Sequence, residues 1–268
     1  MAGPFHNEFL GYRNLDTLKE QLDKYSLRRT KDLLNLPEKT IINEYVDMDG
    51  QQEKFYTNIK QGIIDQVDKV VLNTQSIIGM VSRLRQATAY PKILTTENIP
   101  SAKIDRACDL AEQIIDNGDK VVIFSTFKDT LNELYNRLKE YNPTINTGDT
   151  KDNDIAKNID NFQNNPNDKI FLATWQRCGT GITLTAASYM IFIDTPWTFA
   201  IFEQSCDRIY RIGTKKPVTI YTLITKDTVD EKVQMLVDSK EALSEYVIDN
   251  KVSSRTIDIL KKIILELK

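Results

Sequence analysis

The stretch that decides the fold begins at residue 121 and reads Val121-Val122-Ile123-Phe124. Four consecutive apolar residues, rich in β-branched side chains, are typical of a strand buried on both faces of a parallel sheet. Similar runs follow at 170–173, 190–193 and 218–224, and segments with helical apolar spacing separate them. Because strands that alternate with helices form βα units, the sequence predicts an α/β fold with a parallel sheet flanked by helices.

A helical section is predicted ahead of this sheet. Apolar residues recur at helical spacing over 51–68 and 73–89, and a short strand with partial alternation is predicted before them at 40–48. Ser101 is predicted to be the N-cap of a further helix that ends near residue 117. The remaining predicted elements are helices at 129–140, 155–162, 199–210 and 229–237 and a brief strand at 144–146.

Composition excludes several classes of protein. The chain has 268 residues, of which 41% are hydrophobic and 27% charged, and these values are typical of a globular protein. It contains no run of about 18 apolar residues and no basic-then-apolar leader, so we expect no membrane span and no secretory signal. We expect a cytoplasmic protein of bacterial, phage or archaeal type, or an otherwise intracellular one.

The cysteine and histidine content and the net charge limit the kinds of site that the chain can hold. Three cysteines lie far apart without a Cys-x-x-Cys pair, and His6 is the only histidine. This pattern argues against a zinc site and a Cys–His catalytic dyad, and no metal site is predicted. The net charge of −3 means that any nucleic-acid surface must be a local patch, such as residues 28–31 or 83–85.

Two arginines late in the chain, Arg208 and Arg211, are three residues apart on a predicted helix, where they would point to one face, and Gly213 offers a C-cap. A planar guanidinium stays charged and meets phosphate oxygens through two parallel hydrogen bonds, so the pair suits phosphate binding. A solvated helix face with ordinary ion pairs is the alternative. Polar, glycine-bearing loops at 174–181 and 194–197 follow two buried strands, where ligands of parallel sheets bind.

These features together resemble the carboxyl-terminal RecA-like lobe of the Swi/Snf-like family of superfamily-two helicase-related ATPases, which are DNA translocases. The resemblance covers most of the chain and implies a RecA-like parallel sheet with a helical amino-terminal section and a C-terminal helix. The matching segments include, in chain order, Leu27–Lys31, Leu36–Lys39, Ser82–Gln86, Lys120–Phe127, Gly148–Thr150, Ala173–Ser188, Asp194–Trp197, Gln204–Gly213, Lys216–Val218 and Thr228–Lys232.

The resemblance implies that Arg208 and Arg211 are arginine fingers. They would reach the γ-phosphate of ATP, which binds with Mg²⁺ mainly on a first RecA-like lobe, and we expect Arg211 nearest the transferring phosphate. The alternative is that the arginines form interlobe ion pairs and that the neighbouring glycines serve only a tight turn. The further residues expected to line the ATP cleft are Gly179, Thr180, Gly181, Gln204 and Asp207.

The resemblance also implies contacts with double-stranded DNA. Hydroxyl groups would donate hydrogen bonds to phosphates, which suits a motor that steps regardless of sequence, and one indole ring would stack against the DNA. Helix capping is the alternative for the hydroxyls. The DNA-binding candidates are Ser125, Thr126, Thr174 and Trp175. Three basic residues would link the two lobes, or form a plain solvated face: Arg28, Arg29 and Lys31.

The expected organisation has four segments. Residues 1–50 would hold the interlobe linker and the end of the first lobe, 51–100 a helical section packed on the second lobe, 101–250 that lobe, and 251–268 an amphipathic helix. The sequence has neither a Walker A nor a Walker B motif. We therefore expect an ATP hydrolase that is inactive as this chain alone and needs the first lobe of the same protein as its partner.

The function expected from the resemblance is that of a motor lobe in an ATP-dependent DNA translocase, with a nucleoprotein as a further target. One alternative is a lobe of a strand-separating superfamily-two helicase or of a restriction-type translocase. Another is a non-catalytic module that pairs with a partner ATPase. The remodelled target and the translocation polarity do not follow from the sequence.

Overall fold

A parallel sheet forms the centre of the computed structural model, which describes residues 17, 20, 21, 24, 25, 34–67, 74–175, 181–238 and 262–266. Within these residues the sheet has the strand order β1-β6-β5-β2-β4-β3, and every neighbouring pair is parallel. The predicted parallel α/β fold is therefore confirmed. The strands are β1 (Lys39–Val46), β2 (Val121–Ser125), β3 (Thr144–Asn146), β4 (Ile170–Thr174), β5 (Tyr189–Phe192) and β6 (Val218–Thr225).

The helices lie close to their predicted positions. Short 3₁₀ turns at Pro91–Ile93 and Lys139–Tyr141 follow two of them. Of the predicted C-terminal helix 251–268, the described part is helical over residues 262–265. The helices are α1 (Gly50–Val67), α2 (Thr74–Ala89), α3 (Ala102–Asp116), α4 (Lys128–Arg137), α5 (Asp152–Asn164), α6 (Phe199–Cys206) and α7 (Val229–Asp238).

Side chains of the central strands alternate between two hydrophobic clusters, one on each face of the sheet. On one face, Val121 and Ile123 of β2 pack with residues of α3 and α4. On the other face, Val122 and Phe124 pack with residues of α5 and α6. All four side chains are fully buried. A strand covered on both sides has no polar face, which explains why its sequence is a continuous apolar run.

Helix α3 has a well-defined cap at each end. Ser101 is its N-cap, as predicted, and the side chain accepts a hydrogen bond from the backbone N–H of Ile104. At the other end, Gly118 has a φ of 81° and its N–H donates to Ile115 O. The next N–H, that of Asp119, donates to Ile114 O. This pair of bonds is a Schellman motif, which requires a left-handed residue at the position that glycine occupies.

Strand β1 joins the sheet as its edge, in register with β6 from Lys39 opposite Val218 to Val46 opposite Thr225. It lies within residues 1–50, the segment expected to hold a linker and the end of a first lobe. The chain divides into two compact units, residues 1–35 and 36–268, so β1 belongs to the same unit as the rest of the sheet. Alternation within β1 predicted a strand, but its pairing with a strand near the other end of the chain has no local signal.

A third hydrophobic cluster joins the helical section to the rest of the second unit. Its buried members come from α1 and α2, from α7 and from residues 262–266, and Trp197 packs against it. The two helices thus bury their apolar stripes against elements that lie more than a hundred residues later in the sequence. None of the helices in the described part of the chain is long and apolar enough to cross a membrane.

The prediction of a helix over 199–210 is wrong at its C-terminal end. Helix α6 ends at Cys206, with Asp207 as C-cap. The following backbone N–H groups of Arg208 and Ile209 donate to carbonyls three residues back, and the carbonyl of Arg208 accepts a hydrogen bond from Leu184. Ile209 is fully buried. Tertiary contacts of this turn override the helical spacing, so neither arginine lies on a helix and Gly213 is not a helix C-cap.

Candidate functional site

The candidate site lies at the edge of the sheet where the parallel strands end. The segments that contain Thr126, Trp175 and Asp194 follow β2, β4 and β5, which are neighbours in the sheet. Because the three strands run in the same direction, their carboxyl ends meet at one edge. The fold therefore brings together three loops that lie far apart in the sequence.

Asp194 organises this edge. Its carboxylate accepts hydrogen bonds from Ser125 Oγ at 2.5 Å and from the backbone N–H of Thr126 at 3.0 Å. Thr126 Oγ1 donates to the same carboxylate. Asp194 is only 1% exposed, so these bonds form inside the protein, where an unpaired carboxylate would be costly. The carboxylate thereby fixes the loop that follows β2.

Arg85 of α2 is the cationic partner of this carboxylate. Its Nη2 lies 3.3 Å from Asp194 Oδ2 and also donates to the carbonyl of Thr195. The guanidinium carbon lies 4.2 Å from the centre of the Trp197 ring, a cation–π contact. Burial lowers the pKa of the Arg85 guanidinium from its ordinary value, and the carboxylates of Asp194 and Asp230 act in the opposite direction.

The prediction that residues 83–85 form a basic patch on the surface is therefore wrong. Arg83 is exposed, whereas Arg85 is 1% exposed and paired inside the protein. Residues two apart on a helix do not face the same direction, and this spacing was the available signal. The role of Asp194 was not predicted from the sequence, although a carboxylate directly after a buried strand is a recognisable feature.

The four DNA-binding candidates come together around the end of β2 and β4. Ser125 lies opposite Thr174 in the register of the two strands, and both side chains are buried. Thr126 and Trp175 are half-buried and reach the surface. The indole Nε1–H of Trp175 donates to Thr126 Oγ1 at 3.0 Å. Of the four, Thr126 and Trp175 are the two whose side chains an external ligand could touch.

The two predicted arginines both reach the segment after β4. Arg208 is 8% exposed, and its Nη1 donates to the carbonyl of Ile182 at 3.4 Å. Arg211 is exposed, and its Nη1 donates to Thr183 Oγ1 at 3.2 Å. The backbone N–H of Leu184 donates to the carbonyl of Arg208 at 2.7 Å. Three bonds thus hold the 208–211 turn against residues 182–184.

The remaining cleft candidates are only partly covered by the structure. Gly181 is exposed with a φ of 72°, a conformation that favours glycine. Gln204 is exposed on α6, and Asp207 is half-buried at its C-terminal cap. Gly179 and Thr180 lie outside the described residues, as do the linker candidates Arg28, Arg29 and Lys31.

The turn at 208–211 has the chemical capacity of an anion-binding surface. Arg211 presents an exposed guanidinium, and Arg208 lies beside it in a more buried position. Such groups fit the phosphates of a nucleotide. Among the described residues there is no cluster of His, Cys, Asp and Glu side chains that could hold a metal ion. The site as described could therefore meet the phosphates of ATP but offers no such cluster for Mg²⁺.

Sequence comparison agrees with this geometry. Residues 102–213 match the helicase conserved C-terminal domain family. An uncharacterized ATP-dependent helicase of Mycoplasma pneumoniae is 28% identical over 239 residues, which cover 87% of this chain and 23% of that protein. The chain spans between 23% and 30% of the length of the first four curated relatives that it matches.

Solved structures share the fold. The Sulfolobus solfataricus SWI2/SNF2 ATPase core in complex with double-stranded DNA superposes with a TM-score of 0.71 and 28% identity, covering 94% of this chain and 55% of that one. The C-terminal part of the Fun30 ATPase domain superposes with a TM-score of 0.69 at 23% identity, covering 87% of this chain and 99% of that one. These similarities confirm the RecA-like fold of a Swi2/Snf2 C-terminal lobe.

Proposed function

Because this chain belongs to the Swi/Snf-like family of helicase-related ATPases, we propose that it is the C-terminal motor lobe of an enzyme that uses ATP to translocate on double-stranded DNA. In this proposal the chain supplies arginines to the phosphates of ATP and part of the surface that grips the DNA backbone. The first RecA-like lobe of the same protein supplies the Walker motifs.

The observation that carries the proposal is the convergence of Arg208 and Arg211 on residues 182–184, in the segment between β4 and β5. Arg211 is exposed and can turn its guanidinium toward a phosphate on a facing lobe. Arg208 is more buried, and its backbone carbonyl ties the turn to Leu184. We assign Arg211 as the finger nearest the transferring phosphate and Arg208 as its support.

ATP with Mg²⁺, bound mainly by the first lobe, supplies the transferable phosphoryl group in this proposal. The exposed guanidinium of Arg211 stabilises the negative charge that develops on the phosphate oxygens during transfer. Gly181 and the adjacent Gly179 and Thr180, with Gln204 and Asp207, line the same cleft. In this proposal the two lobes draw together when ATP binds in the cleft, and they separate after hydrolysis.

The DNA track in this proposal includes the surface at Thr126 and Trp175. Both side chains are half-buried at the carboxyl edge. Because the Thr126 hydroxyl already donates to Asp194, the Trp175 ring is the group that contacts DNA in this proposal. Contacts to phosphates and sugars position a protein on the duplex without reading sequence, which suits a translocase. Ser125 and Thr174 lie buried beneath them and would support this surface. We further propose that Arg28, Arg29 and Lys31 link the lobes and that the working location is intracellular.

DNA-stimulated ATP hydrolysis by the protein that contains both lobes tests the proposal. We expect the Arg211→Ala variant to lose about 10³-fold or more in turnover, as removal of an arginine finger does. The Arg208→Ala variant should also lose turnover. Arg137→Ala is the matched control, since Arg137 makes an exposed ion pair with Asp105 on α3. Near-normal turnover of Arg211→Ala would contradict the proposal and favour a non-catalytic module.

A further inference from the structure

We infer that the buried pair of Arg85 and Asp194 positions the Trp175 ring for contact with DNA, acting through the Thr126 hydroxyl. This inference rests on the proposed function, because it takes Trp175 as a DNA contact. It adds two positioning residues that touch no ligand themselves.

The four residues form one continuous chain of contacts across separate elements. Arg85 of α2 pairs with Asp194 after β5 at 3.3 Å. Asp194 accepts the hydroxyl hydrogen of Thr126 after β2, and Thr126 Oγ1 accepts the indole hydrogen of Trp175 after β4 at 3.0 Å. The chain runs from a fully buried ion pair to a side chain that is half-exposed.

The charge of Asp194 sets the direction of these hydrogen bonds. An ionised carboxylate can only accept, so the Thr126 hydroxyl must donate its single hydrogen to Asp194. Its lone pairs then remain for the Trp175 N–H, which can only donate. A neutral amide at position 194 could instead donate to the hydroxyl, and that arrangement would not require the indole to keep its place.

Arg85 offsets the energetic cost of burying the Asp194 carboxylate. Both side chains of the pair are 1% exposed, so neither can reach a DNA backbone. The guanidinium carbon also lies 4.2 Å from the centre of the Trp197 ring, and this contact restricts its movement. Any effect of Arg85 or Asp194 on DNA affinity must therefore pass through the residues that they hold.

The chain contains two tryptophans, so a Trp197→Phe background leaves Trp175 as the only indole reporter and keeps an aromatic ring against Arg85. In this background we would measure acrylamide quenching of Trp175 without DNA, and the Kd for a dye-labelled duplex by anisotropy. The variants are Asp194→Asn, Arg85→Met, and Thr126→Val with Thr126→Ser as its rescue. We call the contacts from Arg85 through Asp194 and Thr126 to Trp175 the relay. Glu44→Gln is the matched control, because Glu44 is outside the relay and pairs with Arg106 at a distance of 2.9 Å.

We expect Asp194→Asn and Thr126→Val each to raise the quenching of Trp175 and to weaken duplex binding by about five- to tenfold. Thr126→Ser should restore both values, and Glu44→Gln should leave both unchanged. The Asp194→Asn/Thr126→Val double variant should lose no more affinity than either single variant, because both break the same relay. If Asp194→Asn does not fold, the quenching of Trp175 in Thr126→Val tests the relay without DNA, because valine replaces the hydroxyl by a methyl group of similar size.

Two results would overturn the inference, and they differ in what they say about DNA binding. If Trp175→Ala weakens duplex binding but Asp194→Asn and Thr126→Val change neither quenching nor Kd, the relay does not position the ring and the DNA contact stands. If Trp175→Ala leaves duplex binding unchanged, the proposed contact itself is wrong, and the inference fails with it.

Discussion

The buried ion pair between Lys103 and Asp230 should contribute measurably to the free energy of unfolding of the second unit. Lys103 Nζ of α3 lies 2.6 Å from Asp230 Oδ2 of α7, and the two side chains are 1% and 6% exposed. Lys103 also donates to the carbonyl of Ile193 at 2.8 Å. The carboxylate accepts further hydrogen bonds from Thr88 Oγ1 at 3.1 Å and from the backbone N–H of Thr225 at 3.2 Å.

Replacing Lys103 by Met keeps the apolar stem but leaves the Asp230 carboxylate buried without the ammonium group that pairs with it. Removal of one partner from a buried pair costs about 3–5 kcal/mol. The same reasoning predicts that the Lys103→Met/Asp230→Asn double variant recovers most of this loss, because no charge remains and an amide oxygen still accepts from Thr225. We expect the double variant to lie within about 1–2 kcal/mol of the wild type, the deficit being the lost donor to Ile193.

Urea unfolding of the chain, followed by far-UV circular dichroism at pH 7, measures these free energies. In thermal unfolding the single variant should melt about 6–20 °C below the wild type. Lys226→Met is the matched control, because Lys226 pairs with Asp47 at 2.7 Å in an exposed position and should contribute about 0–1 kcal/mol. A single variant within about 1 kcal/mol of the wild type, or a double variant no more stable than the single, would refute the argument.

Three further predictions concern packing, capping and thiol reactivity. Phe192→Ala should lower the free energy of unfolding, measured in urea, by about 3–5 kcal/mol. The substitution removes a buried ring whose centre lies 5.0 Å from that of the Phe202 ring, and it leaves a cavity in the core. Gly118→Ala should cost about 1 kcal/mol in the same assay, since φ is 81° there and a Cβ would meet no atom within 4 Å, so backbone strain alone is measured. Burial raises the pKa of the Cys108 thiol from 9.0 to about 11, so iodoacetamide at pH 8 should label it in urea but not in the folded chain, as mass spectrometry of its peptide would report. Because the folded pKa is the higher one, the thiol's contribution to stability should be lost as pH rises from 9.0 to about 11.

Most of the fold was predictable because its signals are local. The continuous apolar run at 121–124 indicates a strand covered on both faces, and both faces are indeed covered. The caps at Ser101 and Gly118 follow from the conformational preferences of single residues. The motif segments also predicted that residues 208–211 and the segment after β4 share one functional site. The structure brings residues 208–211 into contact with residues 182–184, and the shared function stays a prediction.

The local conformation of that turn was not predictable. Apolar spacing alone extended the helix to 210, but burial of Ile209 and the bond from Leu184 to the Arg208 carbonyl end α6 at Cys206. The competing contacts come from residues more than twenty positions earlier in the chain, and a periodicity argument does not contain them. Arg211 is consequently exposed and Arg208 buried, a difference that their equal side chains and close spacing did not indicate.

The sequence by itself determined the order of strands and helices, the parallel α/β class and the family, because these depend on periodicity and on motifs that are contiguous in the chain. Only the tertiary structure decided that Arg85 is an internal partner of Asp194 rather than part of a basic surface, and that β1 pairs with β6. Arg85 and Asp194 are separated by 109 positions. Whether a charge faces water or a buried carboxylate depends on which distant segment folds against it, and that is a property of the packed chain.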